Sequence, residues 1–114
     1  MNVCVIDDDR ATYESVVDAF PAAQWFRDAE TFLSKVDHSI KEWVIVADVH
    51  LSGIGGIELM GQLQALGLTA SVILVCRNPD VLTAVSALRQ GAVDFIEKPI
   101  LRTLLIGSIR RLLS

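Results

Sequence analysis

Residues 43–48 read WVIVAD, an apolar run rich in β-branched side chains that ends in a single carboxylate. β-Branched residues favour strands, and a continuous apolar run is typical of a strand that is buried on both faces of a parallel sheet. Three further short runs, at 2–6, 72–75 and 95–97, have the same character and are also followed by polar residues. The sequence therefore predicts a sheet whose main strands are covered on both sides.

Helix-length segments separate the strand-like runs. Apolar positions at helical spacing predict five helices, at 10–19, 29–36, 57–66, 81–90 and 100–113. Asp28 and Asp80 stand where N-caps are expected, and Gly67 and Gly91 follow the ends of two helices. With a short strand at 24–26, strand and helix alternate five times, which predicts a doubly wound α/β domain with right-handed crossovers.

Composition limits the classes of protein to which the chain can belong. At 114 residues, 52% hydrophobic and 21% charged, it is long enough for one domain with a single core. We expect no membrane span, because no apolar run approaches about 20 residues, and no export, because the start lacks a signal pattern. The net charge of −4 argues against direct binding of nucleic acid. Cys4 and Cys76 fall on different runs and are expected to be reduced thiols.

Five polar residues close the strand-like runs. Asp7 and Asp8 follow the first run, and Asp48, Cys76 and Lys98 follow three others. The carboxyl ends of parallel strands meet at one edge, where ligands bind in such folds. Three carboxylates and a lysine should therefore converge, and carboxylates held close repel one another unless a cation neutralises them. A hard divalent ion with oxygen ligands, such as Mg²⁺, suits that set.

Four ordered motifs give the chain an end-to-end resemblance to the receiver (response-regulator) domain of two-component signalling. They are the acidic cluster at 7–9, the run at 44–48, the stretch GGIEL at 55–59 and the stretch GAVDFIEKP at 91–99. The last stretch is most like regulators of the nitrogen-fixation type. The resemblance implies a five-stranded parallel sheet in the flavodoxin-like order 2-1-3-4-5 with helices on both faces. It also implies that residues 1–114 form one receiver domain, which can be the N-terminal part of a longer regulator.

The resemblance assigns roles to the polar residues at the sheet edge. Asp48 matches the aspartate that takes a phosphoryl group from a histidine kinase. Asp7 and Asp8 match the pair that holds Mg²⁺ (or Mn²⁺) with it, and the backbone carbonyl of His50 matches the remaining protein ligand. Lys98 matches the lysine that pairs with the phosphoryl oxygens. The chemistry is reasonable, because phosphoryl transfer depends on positioning and charge neutralisation.

The resemblance also implies how such a domain signals. By this resemblance it is a cytoplasmic signalling domain of transcription regulation and not an enzyme, and it would reach DNA only through an output domain, if one follows Ser114. Phe95 matches the switch aromatic. A phosphorylation-dependent homodimer is expected through helix 81–90 and the strand at 95–97, with Val81 and Leu82 as candidate contacts.

Two residues depart from the family pattern. Cys76 stands where threonine or serine is usual, and a thiol is a much weaker donor than the hydroxyl whose charge-assisted bond is worth roughly 1.5–3 kcal/mol. Ser52 stands where proline usually stiffens the loop. The alternative is therefore a degenerate receiver that acts as a constitutive protein-interaction module. Arg77 could lower the pKa of the Cys76 thiol, which leaves a redox role open.

Other interpretations remain for the same residues. The acidic cluster could simply start a helix, Asp48 could be a turn residue at a strand end, and Lys98 could be a solvated loop lysine. Asp7, Asp9 and Thr12 meet the first motif of haloacid-dehalogenase phosphatases, but no acidic pair lies near the end of the fourth strand. A flavodoxin-type cofactor domain shares the fold, but the first loop lacks a Ser/Thr/Gly phosphate cradle.

Overall fold

The computed structural model describes residues 2–113, without the side chains of residues 38 and 41. Strands and helices alternate along this part of the chain. In order they are β1 (Val3–Ile6), α1 (Arg10–Val17), β2 (Gln24–Phe26), α2 (Ala29–Lys35), a 3₁₀ helix (His38–Glu42), β3 (Val44–Asp48), α3 (Gly56–Ala65), β4 (Ser71–Arg77), α4 (Val81–Gln90), β5 (Asp94–Lys98) and α5 (Arg102–Leu113). No described helix has both the length and the apolar character that crossing a membrane would need.

The sheet has the expected topology. Its five strands lie in the order β2-β1-β3-β4-β5, and each neighbouring pair is parallel. One apolar cluster joins one face of the sheet to α2, α3 and α4, for example through Phe32, Leu59 and Ala87. A second cluster joins the other face to α1 and α5, for example through Val16 and Leu105. The doubly wound α/β fold is thus confirmed, with helices on both faces.

Three strands run further than the apolar runs in the sequence. β3 includes Asp48, β4 continues through Cys76 to Arg77, and β5 includes Lys98. Strand pairing uses backbone groups and is indifferent to side-chain polarity, so the ladder continues after the apolar run has ended. Asp48, Cys76 and Lys98, which we expected just beyond the strands, therefore lie within the paired part of the strands. Strand pairing fixes the direction in which each of their side chains points.

The helix ends also differ slightly from the predictions. α1 ends at Val17 instead of residue 19, α2 ends one residue early, and α5 begins at Arg102 instead of residue 100. The 3₁₀ helix was not predicted, because it is too short for a periodic signal; the Asp37 side chain caps it by accepting from the N–H of Ser39 at 2.8 Å.

The expected caps are present. Asp28 and Asp80 each accept a hydrogen bond from a backbone N–H three residues later, at 2.7 Å in both cases. Gly91 ends α4 at a φ of +113°, in the left-handed region that glycine adopts at low cost. The local signals that begin and end helices are therefore reliable in this chain.

Two adjacent glycines allow α3 to start close to the end of β3. A Cβ atom at Gly55 would meet the carbonyl oxygen of Val49, and one at Gly56 would lie 2.7 Å from the carbonyl oxygen of Asp48. Larger residues would push the helix away from the strand. The close approach keeps the segment after Asp48 folded against the sheet edge.

Candidate functional site

The ends of β1, β3 and β5 bring Asp7, Asp48 and Lys98 together at one edge of the sheet. The Lys98 Nζ lies 2.7 Å from Asp7 Oδ2 and 2.6 Å from Asp48 Oδ2. All three residues are buried. A buried ammonium group between two carboxylates is a charge-assisted hydrogen-bond network, in which each partner compensates part of the desolvation of the others.

Strand register explains why these three side chains meet. Ile6 pairs with Ala47, so the residues that follow them, Asp7 and Asp48, are neighbours. Successive side chains on a strand point to opposite faces, so residues two apart share a face. Each of the three charged residues comes two positions after a strand residue of the cluster under α1 and α5, namely Val5, Val46 and Ile96. The network therefore extends that core layer to the sheet edge.

Asp7 is held by more than its ion pair. Its Oδ1 accepts from the Asp9 backbone N–H at 3.0 Å, and its Oδ2 accepts from the Thr12 hydroxyl at 2.6 Å. The indole N–H of Trp25 donates to the Asp7 backbone carbonyl at 2.7 Å. Burial raises the pKa of Asp7, and its hydrogen bonds to Lys98 and Thr12 offset this only in part. Asp7 is consequently a fixed group in the floor of the site.

The sequence analysis assigned the positive charge between the carboxylates to a metal ion. In the structure, the ammonium group of Lys98 supplies a positive charge at that place. Burial alone would lower the pKa of Lys98, but its hydrogen bonds to Asp48 and Asp7 outweigh burial, and the pKa is raised. The lysine therefore remains charged and neutralises the carboxylate pair. Lys98 is not the solvated loop residue of the simpler interpretation.

An open cleft of about 570 Å³ lies above this network. The residues that line it are Asp8, Asp9, Asp48, His50, Arg77, Asn78 and Lys98. Asp8 and His50 are exposed, and the His50 backbone N–H donates to Asp48 Oδ1 at 2.7 Å. Asp48 thus contacts the buried Lys98 through Oδ2 and the backbone of His50, a residue of the cleft, through Oδ1.

The three carboxylates of the predicted metal site differ in burial and in their partners. Asp7 lies beneath Lys98, whereas Asp8 is exposed at the cleft, because consecutive residues leaving a strand point to opposite sides. In the part of the chain that the structure describes, the side chains of His, Cys, Asp and Glu form no group of three that could hold a metal ion. Mg²⁺ often binds through one or two carboxylates and several waters. Asp8, Asp48 and the His50 carbonyl offer donors that would suit such a hydrated ion.

The Cys76 thiol makes its hydrogen bond outside the charged network. It is fully buried and is offset by one position from the face that carries Asp48 and Lys98, and its thiol donates to the Arg77 carbonyl at 3.4 Å. Burial raises the pKa of the Cys76 thiol, and the charges of Asp48 and Asp80 add to that effect. The lowering of this pKa that the sequence left open for Arg77 is not found, because desolvation and the nearby carboxylates dominate.

Asp9, Arg77 and Asn78 also line the cleft, although their place there was not predicted. Asp9 is the N-cap of α1 and accepts from the Ala11 N–H at 3.0 Å, as the helix-start interpretation expects. The apolar run in the sequence ends before Arg77, so that pattern does not place Arg77 at the cleft, whereas the longer β4 does. Asn78 follows with a φ of +52°, which asparagine tolerates better than most residues.

Comparison with known proteins agrees with this geometry. The response regulator receiver domain family matches residues 3–110. The transcriptional regulatory protein FixJ of Azorhizobium caulinodans is 36% identical over 118 residues, which cover 95% of this chain and 53% of that protein. The C4-dicarboxylate transport transcriptional regulatory protein DctD of Pseudomonas aeruginosa is 44% identical over 76 residues, which cover 65% of this chain and 16% of that protein. The chain thus spans about half the length of FixJ and less of DctD.

The solved structures show the same fold. The crystal structure of FixJ-N superposes with a TM-score of 0.83 at 31% identity, covering 97% of this chain and 91% of that one. The resemblance noted in the sequence, including its likeness to nitrogen-fixation-type regulators, is confirmed. The chain belongs to the response regulator receiver domain family, the signalling domains of two-component systems.

Proposed function

We propose that the domain accepts a phosphoryl group on Asp48 from a histidine kinase. The observation that carries the proposal is the position of the Asp48 carboxylate. One of its oxygens is fixed 2.6 Å from Lys98 Nζ, while the residue lines an open cleft with Asp8 and His50. A nucleophile that is both held in place and reachable is what transfer to a side chain needs.

The residues around Asp48 have complementary tasks in this proposal. An Asp48 oxygen forms a bond to phosphorus as the phosphorus–nitrogen bond of the kinase histidine breaks, which leaves an acyl phosphate on Asp48. Mg²⁺, held by Asp8, Asp48 and the His50 carbonyl, would offset the charge that the phosphoryl group brings. Lys98 pairs with the new oxygens, since an ammonium group on a flexible stem can follow them. Asp7 keeps Lys98 charged and in place.

The wider role rests on the relatives. FixJ and DctD are named as transcriptional regulatory proteins and are longer than this chain. We expect the domain to act in the cytoplasm as a signalling module and not as an enzyme, within a regulator whose output domain reaches DNA.

The α4 surface is the proposed route of the signal. Val81 and Leu82 are 77% and 82% exposed, and Phe95 on the adjacent β5 is half-buried against the core. Large apolar residues that remain exposed mark contact surfaces. We therefore expect a phosphorylation-dependent homodimer through α4 and β5, and charge substitutions at Val81 and Leu82 should weaken it without unfolding the domain. Dimerisation that survives both substitutions would favour another surface.

One observation favours a second candidate, a degenerate receiver that binds its partner constitutively. The Cys76 thiol bonds to the Arg77 carbonyl and is a weak donor, so it offers little attraction to a phosphoryl oxygen. Phosphorylation would then proceed while the conformational response stays small.

Phosphorylation of Asp48 is tested directly with acetyl phosphate and Mg²⁺, followed by intact mass measurement. The parent should gain the mass of one phosphoryl group, and mild base or hydroxylamine should remove it. Asp48→Asn should gain none. Asp18→Asn is the matched control, because Asp18 is exposed and pairs with Arg102 away from the cleft. A stable adduct in Asp48→Asn, mapped to another residue, would refute the assignment.

A further inference from the structure

Two cationic residues end neighbouring strands at the cleft. Arg77 is the last residue of β4, and its strand partner in register is Lys98, the last residue of β5. Register partners in parallel strands point to the same face, so both cations extend towards the cleft that contains Asp48. They differ in burial: the Lys98 side chain is 5% exposed, whereas that of Arg77 is 65% exposed.

The Asp9 carboxylate lies between these two cations. Its Oδ2 is 3.7 Å from Arg77 Nη2 and 3.6 Å from Lys98 Nζ, while its Oδ1 caps α1 through the Ala11 N–H. Both contacts are longer than a good charge-assisted hydrogen bond. The internal carboxylate thus holds the guanidinium weakly, and a stronger anion in the cleft could take its place.

Lys98 has few donors to spare for a new phosphoryl group, because its ammonium group carries only three N–H donors. Its ammonium group already bonds Asp7 and Asp48 at short distance. A phosphoryl group adds close to two negative charges and three acceptor oxygens at the same edge. Arg77 lines this cleft with a planar fork of donors, which matches phosphate oxygens geometrically.

We propose that Arg77 is a second phosphoryl-binding residue of this receiver, held by Asp9 at rest and transferred to the oxygens on phosphorylated Asp48. The proposal rests on the proposed function and deepens it. Arg77 replaces, from the next position along β4, the hydrogen-bond donor that the buried Cys76 thiol supplies poorly. Asp9 is then an internal competitor of the phosphoryl group for the same guanidinium.

Beryllofluoride with Mg²⁺, a stable mimic of the phosphoryl group, tests the role of Arg77. Affinity is measured from amide chemical shifts in a titration of the complete domain. Arg77→Ala should bind roughly fivefold to tenfold more weakly, as expected for a partly exposed charge-assisted contact. Arg77→Lys should lie between, since it keeps the charge and loses the fork. Arg89→Ala, a change of equal charge on the last turn of α4, should remain within about twofold.

A double-mutant cycle tests the competition. Asp9→Asn keeps an N-cap, because asparagine caps helices as well as aspartate, and it removes the negative charge between the cations. It should tighten beryllofluoride binding roughly threefold in the parent and less in the Arg77→Ala background. An equal gain in both backgrounds would show that Asp9 does not act through Arg77, and would overturn the proposal.

The outcomes separate this inference from the function on which it rests. If the parent does not bind beryllofluoride at all, the proposed phosphorylation of Asp48 fails, and the role of Arg77 fails with it. If the parent binds and Arg77→Ala matches Arg89→Ala, only the role of Arg77 is overturned. Tighter binding by Arg77→Ala would show that the arginine obstructs the cleft, which also contradicts the proposal.

Discussion

The ends of β4 and β5 carry cations in matching register positions, yet their surroundings are opposite. Lys98 is buried and bonded to two carboxylates within 2.7 Å, whereas Arg77 is exposed and lies 3.7 Å from the carboxylate of Asp9. The difference shows that residue type and register do not decide what a charge does. The buried Lys98 stabilises the fold by neutralising two carboxylates, whereas the exposed Arg77, held only weakly by Asp9, is the cation that we propose responds to a ligand. Five predictions test this contrast and the residues around it, ordered from the largest expected effect.

Lys98→Ala should destabilise the domain by about 3 kcal/mol near neutral pH, because it leaves the buried carboxylate of Asp7 beside that of Asp48 without their cation. The loss should shrink in acid, as the carboxylates protonate. Urea unfolding at several pH values measures both effects. A loss below about 1 kcal/mol at neutral pH would show that water or bound ions compensate the two carboxylates, as they do for exposed ion pairs.

Asp7 should contribute to the pH dependence of the free energy of unfolding in the acidic range. The pKa of Asp7 is raised in the folded state, so the folded protein binds the Asp7 proton more tightly than the unfolded chain does. Proton binding at Asp7 therefore stabilises the fold at low pH, and this stabilisation is lost as pH rises from the ordinary value of 3.8 through the raised pKa. Asp7→Asn should therefore be more stable than the parent at neutral pH, by less than Lys98→Ala loses. The difference should vanish below pH 3.8. A destabilised Asp7→Asn at neutral pH would contradict the sign.

Lys98 should determine how the free energy of unfolding changes at alkaline pH. Its pKa is raised in the folded state, so its contribution is complete below the ordinary value of 10.5 and is lost as pH rises through the raised pKa. The alkaline loss of stability should therefore be smaller in Lys98→Ala than in the parent, which the same unfolding series measures.

Cys76→Thr should enlarge the amide chemical shift changes that beryllofluoride causes, because a hydroxyl is a stronger donor than a thiol. Cys76→Ala should respond like the parent. The raised pKa of the thiol also predicts little reaction with mild peroxide. If Cys76→Thr changes nothing while Cys76→Ala weakens the response, the thiol already acts as the switch donor and the degenerate alternative fails.

Arg77→Ala should have the smallest effect on stability, less than about 0.5 kcal/mol, since exposed ion pairs contribute little. Urea unfolding beside Lys98→Ala gives the comparison directly. A loss for Arg77→Ala that approaches the loss for Lys98→Ala would remove the distinction between a structural and a responsive cation.

Most of the fold was predictable from local signals. Runs such as 44–47 indicated buried parallel strands, and Asp28, Asp80 and Gly91 marked helix ends, because these features depend on residues close in sequence. The strand ends were less predictable. The ladder continues past Cys76 to Arg77 by backbone pairing with β5, and an apolar pattern cannot reveal where such pairing stops.

The sequence by itself determined that strands alternate with helices and that Asp7, Asp48 and Lys98 belong to one edge of a sheet, because strand direction and strand ends follow from the chain. Only the tertiary structure decided which charges are buried and which are open to ligands. Asp7 and Asp8 are adjacent and identical in type, yet one lies beneath Lys98 and the other lines the cleft. Arg77 and Lys98 share a charge and a register, yet only one is enclosed. Burial depends on what distant elements place above a residue, and that information lies in the packing of the whole chain and not in any local segment of it.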